Sequence, residues 1–237
     1  MKLENMEHQV PGIEWLGFHF DLSALLMIGV TSVLVLILAI AGTSKISVTN
    51  PSKLQNFMEW VVEFVEGIIG STIGSKHGKP FIALGLTLIM YIFIGNMLGL
   101  PFSVVTSDHV SWWKSPTADI AVTAALTVIV IALSHFLGIT RNTKHYFAHY
   151  FEYKGVMLPL HLIEVVSKPL TLAFRLYGNI YAGEIMIGVI LGAGWYGIFP
   201  LAIWQGFSLF VGAIQAFVFT MLTMVYISQT LIHEESH

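Results

Sequence analysis

Long uncharged apolar runs alternate with short polar stretches along the whole chain. Residues 22–41 are twenty consecutive uncharged, mostly apolar residues, enough to cross a hydrocarbon core of about 30 Å. They predict a first membrane span, with Asp21 or Ser23 as its N-cap. Residues 81–105 predict a second, uncharged span that contains Asn96, and residues 117–140 a third, with Asp119 at its start and His135 near its far end. The loop between these two carries Asp108, His109 and the pair Trp112-Trp113, an aromatic signal typical of the membrane surface.

Between the first and second spans the pattern changes. Residues 51–74 are amphipathic: Phe57, Val61, Phe64 and Ile68 fall on one face, Gln55, Glu59, Glu63 and Glu66 on another. Asn50-Pro51 reads as a cap followed by proline at the first helical position. This predicts a helix lying on the membrane surface. The chain ends in two unusually long apolar helices, 156–191 and 201–232, separated by Gly192 to Gly197 and Pro200. Each would measure roughly 50 Å, so they must tilt, kink at Pro169 or lie partly along the membrane. The expected architecture is therefore an all-α membrane protein of five transmembrane helices and one interfacial helix, in a single domain over 1–237, the last two helices forming a strongly tilted hairpin.

Composition agrees with that class. Hydrophobic residues make up 55% of the 237 and charged ones only 11%, and the mean hydropathy is +0.76, whereas a soluble domain has about 25% charged residues. There is no cysteine, which excludes a disulfide framework and Cys-based metal or redox sites. A net charge of −3 gives no reason to expect a nucleic acid partner, and no motif asks for a cofactor. The placement of charge says more. Residues 42–80 and 141–154 hold seven of the eleven Lys and Arg, which makes these segments cytoplasmic by the positive-inside rule. Five spans then put the N-terminus outside and the tail His233 to His237 inside.

One stretch, Ser167-Lys168-Pro169-Leu170-Thr171-Leu172-Ala173-Phe174-Arg175-Leu176-Tyr177-Gly178-Asn179-Ile180-Tyr181-Ala182-Gly183-Glu184, puts charges into the apolar pattern. An ionisable side chain at membrane depth costs at least a few kcal/mol and is a functional hypothesis by default. Arg175 and Asn179 share a helix face, as do Glu164, Lys168 and Arg175, while Glu184 lies about half a turn around and roughly 13 Å further along. Arg175 stays charged in any protein environment, so it needs an acid from elsewhere or a water-filled cavity. In the last helix Ser208 and Gln215 are seven residues apart and share a face, with Gly212 between them.

The stretch 167–184 closely resembles the signature helix of subunit a of the F-type ATP synthase, the stator subunit of its membrane sector. The resemblance extends to Gln215-Ala216-Phe217-Val218-Phe219 and Leu222-Thr223-Met224-Val225-Tyr226, and more weakly to 96–101 and 116–119. It implies a bacterial plasma-membrane protein that conducts protons past a rotating c-ring, assembled with the subunit b peripheral stalk and the remaining synthase subunits. It further implies two offset half-channels kept apart by Arg175, with Glu164 on the cytoplasmic side, Glu184 on the outer side and Gln215 packed against Arg175. Asp119 is then an outer entrance, or simply a helix cap. Ser208 lines the outer half-channel or makes an interhelical hydrogen bond, Asn179 binds near Arg175 or joins helices, and Asn96 lines the same path. Thr123 and Thr127 are explained equally well by bonds within their own helix, and His135 and His161 by interfacial placement. The sequence departs from some relatives at position 208, Ser where others carry His or an acid, and at position 161, His where others place Glu.

Other classes fit less well. A free-standing transporter would show repeated halves, and none is present. An intramembrane enzyme would need a GxSxG, HExxH or paired-Asp motif, and a structural anchor has no reason to hold Arg175 and Glu184 in the bilayer. With no phosphate-binding loop, ATP chemistry must reside on other chains.

Overall fold

The computed structural model describes residues 12–15, 18–99, 104–105, 111–113, 115–150 and 158–231. Seven α-helices account for most of them: α1 Leu22–Thr43, α2 Lys53–Thr72, the single turn α3 Ser75–Gly78, α4 Ile82–Gly99, α5 Ile120–Tyr150, α6 Leu158–Leu191 and α7 Ile198–Leu231. Two small antiparallel hairpins are the strands among the described residues, β1 Gly12–Trp15 with β2 Phe18–Asp21, and β3 Val104–Val105 with β4 Ser111–Trp113. The second joins the ends of α4 and α5, and Trp113 Nε1 ties it down by donating to the Leu98 carbonyl at 2.8 Å.

Helix starts follow local chemistry. Asp21, rather than Ser23, caps α1: its Oδ1 accepts from the backbone N–H of Ser23 at 2.9 Å and of Ala24 at 3.3 Å. At α2 the cap is Ser52, whose hydroxyl accepts from Gln55 N–H at 3.1 Å. The expected Asn50-Pro51 start is therefore early by two residues. Pro200, expected in the break before the last helix, is instead the third residue of α7, where its missing N–H removes no helical bond. The link between α6 and α7 turns at Gly194, whose φ of +61° suits a residue without Cβ, and it leaves Trp195 and Tyr196 exposed.

α7 is the central element. It packs against α4, α5, α6 and α2, while α1 packs on α4 and α2, and α5 on α6. The core joins Val61, Val65, Ile68 and Ile69 of α2, Leu88 and Ile92 of α4, Leu172 and Leu176 of α6, and Phe219, Met224 and Ile227 of α7. Among the described residues four helical stretches, Leu22–Thr43, Lys79–Gly99, Ile120–Thr140 and Gly194–Gln229, are long and apolar enough to cross a membrane. α6 is as long as α7, 34 residues, but carries Glu164, Lys168, Arg175 and Glu184. It runs unbroken across Pro169.

The apolar face of α2 is only partly covered: Val61 and Ile68 are buried together with Val65 and Ile69, whereas Phe57 and Phe64 are each 40% exposed. The aromatics flank the seam and pack on one another, Phe57 to Trp60 at 6.4 Å, Trp60 to Phe64 at 6.0 Å, and Phe64 to Phe217 of α7 at 5.7 Å between ring centroids. Gln55, expected on the polar face, is buried because its amide clasps the preceding linker. It accepts from Ser47 N–H and donates to Ser47 O, both at 3.1 Å.

Candidate functional site

Residues Leu172, Leu176, Ile180 and Gly183 form the buried stripe of α6, the i, i+4, i+8, i+11 spacing of a single covered face. It meets α5, α7 and the 3-10 turn Pro116–Ala118 that precedes α5. Arg175 lies to one side of the stripe and is exposed, with Phe174, Tyr181, Ile185 and Val189 also on uncovered parts of the helix. α7 presents its own uncovered apolar residues, Phe199, Ile203, Phe207, Phe210 and Ile214.

One helical turn beyond Arg175, Asn179 reaches across to α7: its Nδ2 donates to Gln215 Oε1 at 3.0 Å. Gln215, expected against Arg175, has a hydrogen-bond partner in Asn179, one turn from Arg175 on the same helix. Asn179 is exposed whereas Gln215 is 3% exposed, so the bond runs from the rim into the interior. Among the described residues, Gln215 Nε2 and the hydroxyl of Ser208 seven residues earlier are buried and meet no protein hydrogen-bond partner, and the same holds for the hydroxyl of Thr31 on α1. An amide N–H left unpaired in an apolar interior costs about 1–3 kcal/mol, a cost that bound water removes.

A second polar cluster adjoins α7 between those two residues. Asn96 of α4 is fully buried; its Nδ2 donates to the Gly212 carbonyl at 2.9 Å, and its Oδ1 accepts from Thr117 Oγ1 at 2.6 Å and Ser115 Oγ at 3.5 Å. The hydroxyls of Ser115 and Thr117 are 2.7 Å apart. Nearby, Ala118, Ile180 and Leu209 make a small apolar cluster linking the 3-10 turn to α6 and α7. Further along the same pair of helices Trp204 Nε1 donates to the Gly183 carbonyl at 3.2 Å. Ser115, Thr117 and Trp204 are absent from the residues expected of the site. Ser115 and Thr117 flank a proline, a polar signal in the sequence, but nothing there says which helix they face.

The remaining expected residues divide. Asp119 sits at the mouth of α5 and its Oδ1 accepts from Ala121 N–H at 2.7 Å, the geometry of a cap. Thr123 and Thr127 bond back to carbonyls of their own helix, Thr123 to Ile120 at 3.0 Å and Thr127 to Thr123 at 2.8 Å, as the plainer reading of them holds. The backbone of Glu164, His161, Lys168 and Glu184 is part of α6, but their side chains lie outside the described set, as do residues 106–110 with Asp108 and His109, and the tail 233–237.

The arrangement places one permanent cation beside a row of amides and hydroxyls that do not titrate. Such a row can hold and orient water, and the guanidinium fixes the sign of the local field. The family model for the ATP synthase A chain matches residues 25–228, a range that includes every member of the row. ATP synthase subunit a of Bacillus subtilis (strain 168) is 51% identical over 245 residues, covering 97% of this chain and all of that protein. The subunit a of Priestia megaterium is 50% identical over 94% of this chain and 97% of its own length, and that of Listeria monocytogenes serotype 4b is 48% identical over 97% of this chain and all of its own. By the extent of the matched model and by half of all positions shared with full-length relatives, this chain belongs to the ATP synthase A chain family.

Proposed function

We propose that this chain is the proton-conducting stator of a bacterial ATP synthase membrane sector, crossing the plasma membrane five times with its N-terminus outside. It conducts ions and performs no phosphoryl transfer; the ATP chemistry belongs to the other subunits. The fourth of the five crossings is α6, whose charges suit a helix facing a wet or charged neighbour better than lipid. Its uncovered face and that of α7 form the surface that meets a c-ring, and the subunit b stalk holds the chain against rotation.

Two half-channels reach this surface from opposite sides. Asp119, Ser208, Gln215, Asn179 and Glu184 serve the outer one, and Glu164 the cytoplasmic one. Arg175 stands between them. Its charge favours the ionised form of each passing rotor carboxylate, and it blocks protons from crossing directly, a leak that would dissipate about 2.3 kcal/mol per charge for each 100 mV. Lysine would serve poorly, because burial can strip its proton.

The observation that carries this reading is the position of Arg175, exposed on an apolar helix one turn from the part-buried Asn179 to Gln215 bond. The test is ATP-driven proton pumping and passive proton leak in vesicles holding the assembled complex, with and without Arg175→Ala. Pumping should vanish while assembly persists, and the leak should rise. Pumping at the normal rate would overturn the mechanism in favour of a purely structural anchor.

A further inference from the structure

We propose that Asn96 is a positioning residue for the conduction path: it holds α7 at the rotation in which Ser208 and Gln215 face the interior and Gln215 meets Asn179. This rests on the proton-conducting reading above. The carboxamide can sit only one way round. A main-chain carbonyl accepts and never donates, so Nδ2 must face Gly212, leaving Oδ1 for the hydroxyls of Ser115 and Thr117. The donor lies 2.9 Å from the Gly212 oxygen and the acceptor 2.6 Å from Thr117 Oγ1. One fully buried side chain thus joins α4, the 3-10 turn and α7, the last of them 116 residues away in sequence.

Gly212 is four residues after Ser208 and three before Gln215, and on a helix these three positions lie within about 60° of one another. With no side chain at 212, the amide reaches the main chain itself and uses the lone pair that the helical bond leaves free. Helices packed in lipid gain little from apolar contact alone, because lipid is as apolar as leucine. A single directed bond to the backbone therefore has unusual leverage on rotation. Turning α7 by one residue position, about 100°, would break the bond to Asn96 and carry Gln215 away from Asn179 together. Asn96 itself has both ends of its amide occupied, so it acts through Gln215 rather than on the proton.

The test uses the assembled complex in vesicles, with acidification by ATP-driven pumping read by a pH-sensitive dye across a range of external pH. Asn96→Leu preserves volume and leaves the Ser115 and Thr117 hydroxyls paired with each other. We expect pumping to fall about tenfold, and the pH of half-maximal rate to shift because the groups that order water in the path have moved. A scaffold role alone would lower the rate equally at every pH, and that result overturns the proposal. In a Gln215→Leu background, Asn96→Leu should change the rate less than about twofold; full additivity also overturns it. Thr117→Val, which removes the shorter bond to Oδ1, should give a smaller shift in the same direction, and it decides the matter where Asn96→Leu fails to assemble. Arg175→Ala run alongside keeps the two claims separate: pumping that survives there overturns the proton-conducting reading, whereas normal Asn96→Leu behaviour beside a dead Arg175→Ala overturns positioning alone.

Discussion

Two buried polar groups of side chains touch α7 within two turns of each other, and they are finished to different degrees. Around Asn96 every named donor and acceptor is engaged: the amide bridges Gly212 and two hydroxyls, and those hydroxyls hold each other. Along the Asn179 to Gln215 seam the Gln215 oxygen is used, but its Nε2 and the Ser208 hydroxyl are left over. A closed network in a low-dielectric interior rigidifies. An open one leaves donors free to bind water.

Changing one side at a time sharpens that contrast. The largest effect is expected at Gly99, where an added Cβ would collide with the backbone of Ser115. Gly99→Ala should push the turn off α4, prevent the Asn96 network from closing and cost about 3 kcal/mol or more, seen as loss of assembled complex and a lower thermal midpoint. Gln215→Leu should be far milder for stability: it gives up an interhelical bond worth about 0.6 kcal/mol whose other partner, Asn179, is exposed to solvent, so the midpoint should change little while pumping falls at least about tenfold. A falling midpoint with normal pumping would show the seam to be structural. Ser208→Ala is the mildest: stability within about 0.5 kcal/mol of the parent and a modest fall in pumping. If pumping is unchanged, the hydroxyl has no part in the path.

Much of this was legible in the chain. The long spans and the break after residue 191 follow from the length of the apolar runs, and Arg175 stands out because nothing else in those runs is permanently charged. Gln215 and Asn179 could be picked out as polar residues on apolar helices, but their pairing could not, since it joins positions 36 apart on different elements. The Asn96 cluster shows the limit more plainly. An isolated Asn in an uncharged span is visible, yet its partners lie 19, 21 and 116 residues away, and spacing along one helix carries no information about them. On α2 the periodicity picks out the apolar face of Phe57, Val61, Phe64 and Ile68, but not which part of it a neighbouring helix covers: Val61 and Ile68 are buried with Val65 and Ile69, and the two Phe stand at the edge.

The central place of α7 also bears on how the chain is made. Synthesis runs from the N-terminus, so α2, α4, α5 and α6 all emerge before the helix that they pack around. The Ser228 hydroxyl closes on the Thr72 carbonyl across 156 residues at 2.6 Å, and Phe219, Met224 and Ile227 complete the core. A chain halted anywhere before residue 198 lacks the keystone of its packing together with Ser208 and Gln215. Without α7 such a copy leaves the inward faces of α2, α4, α5 and α6 uncovered.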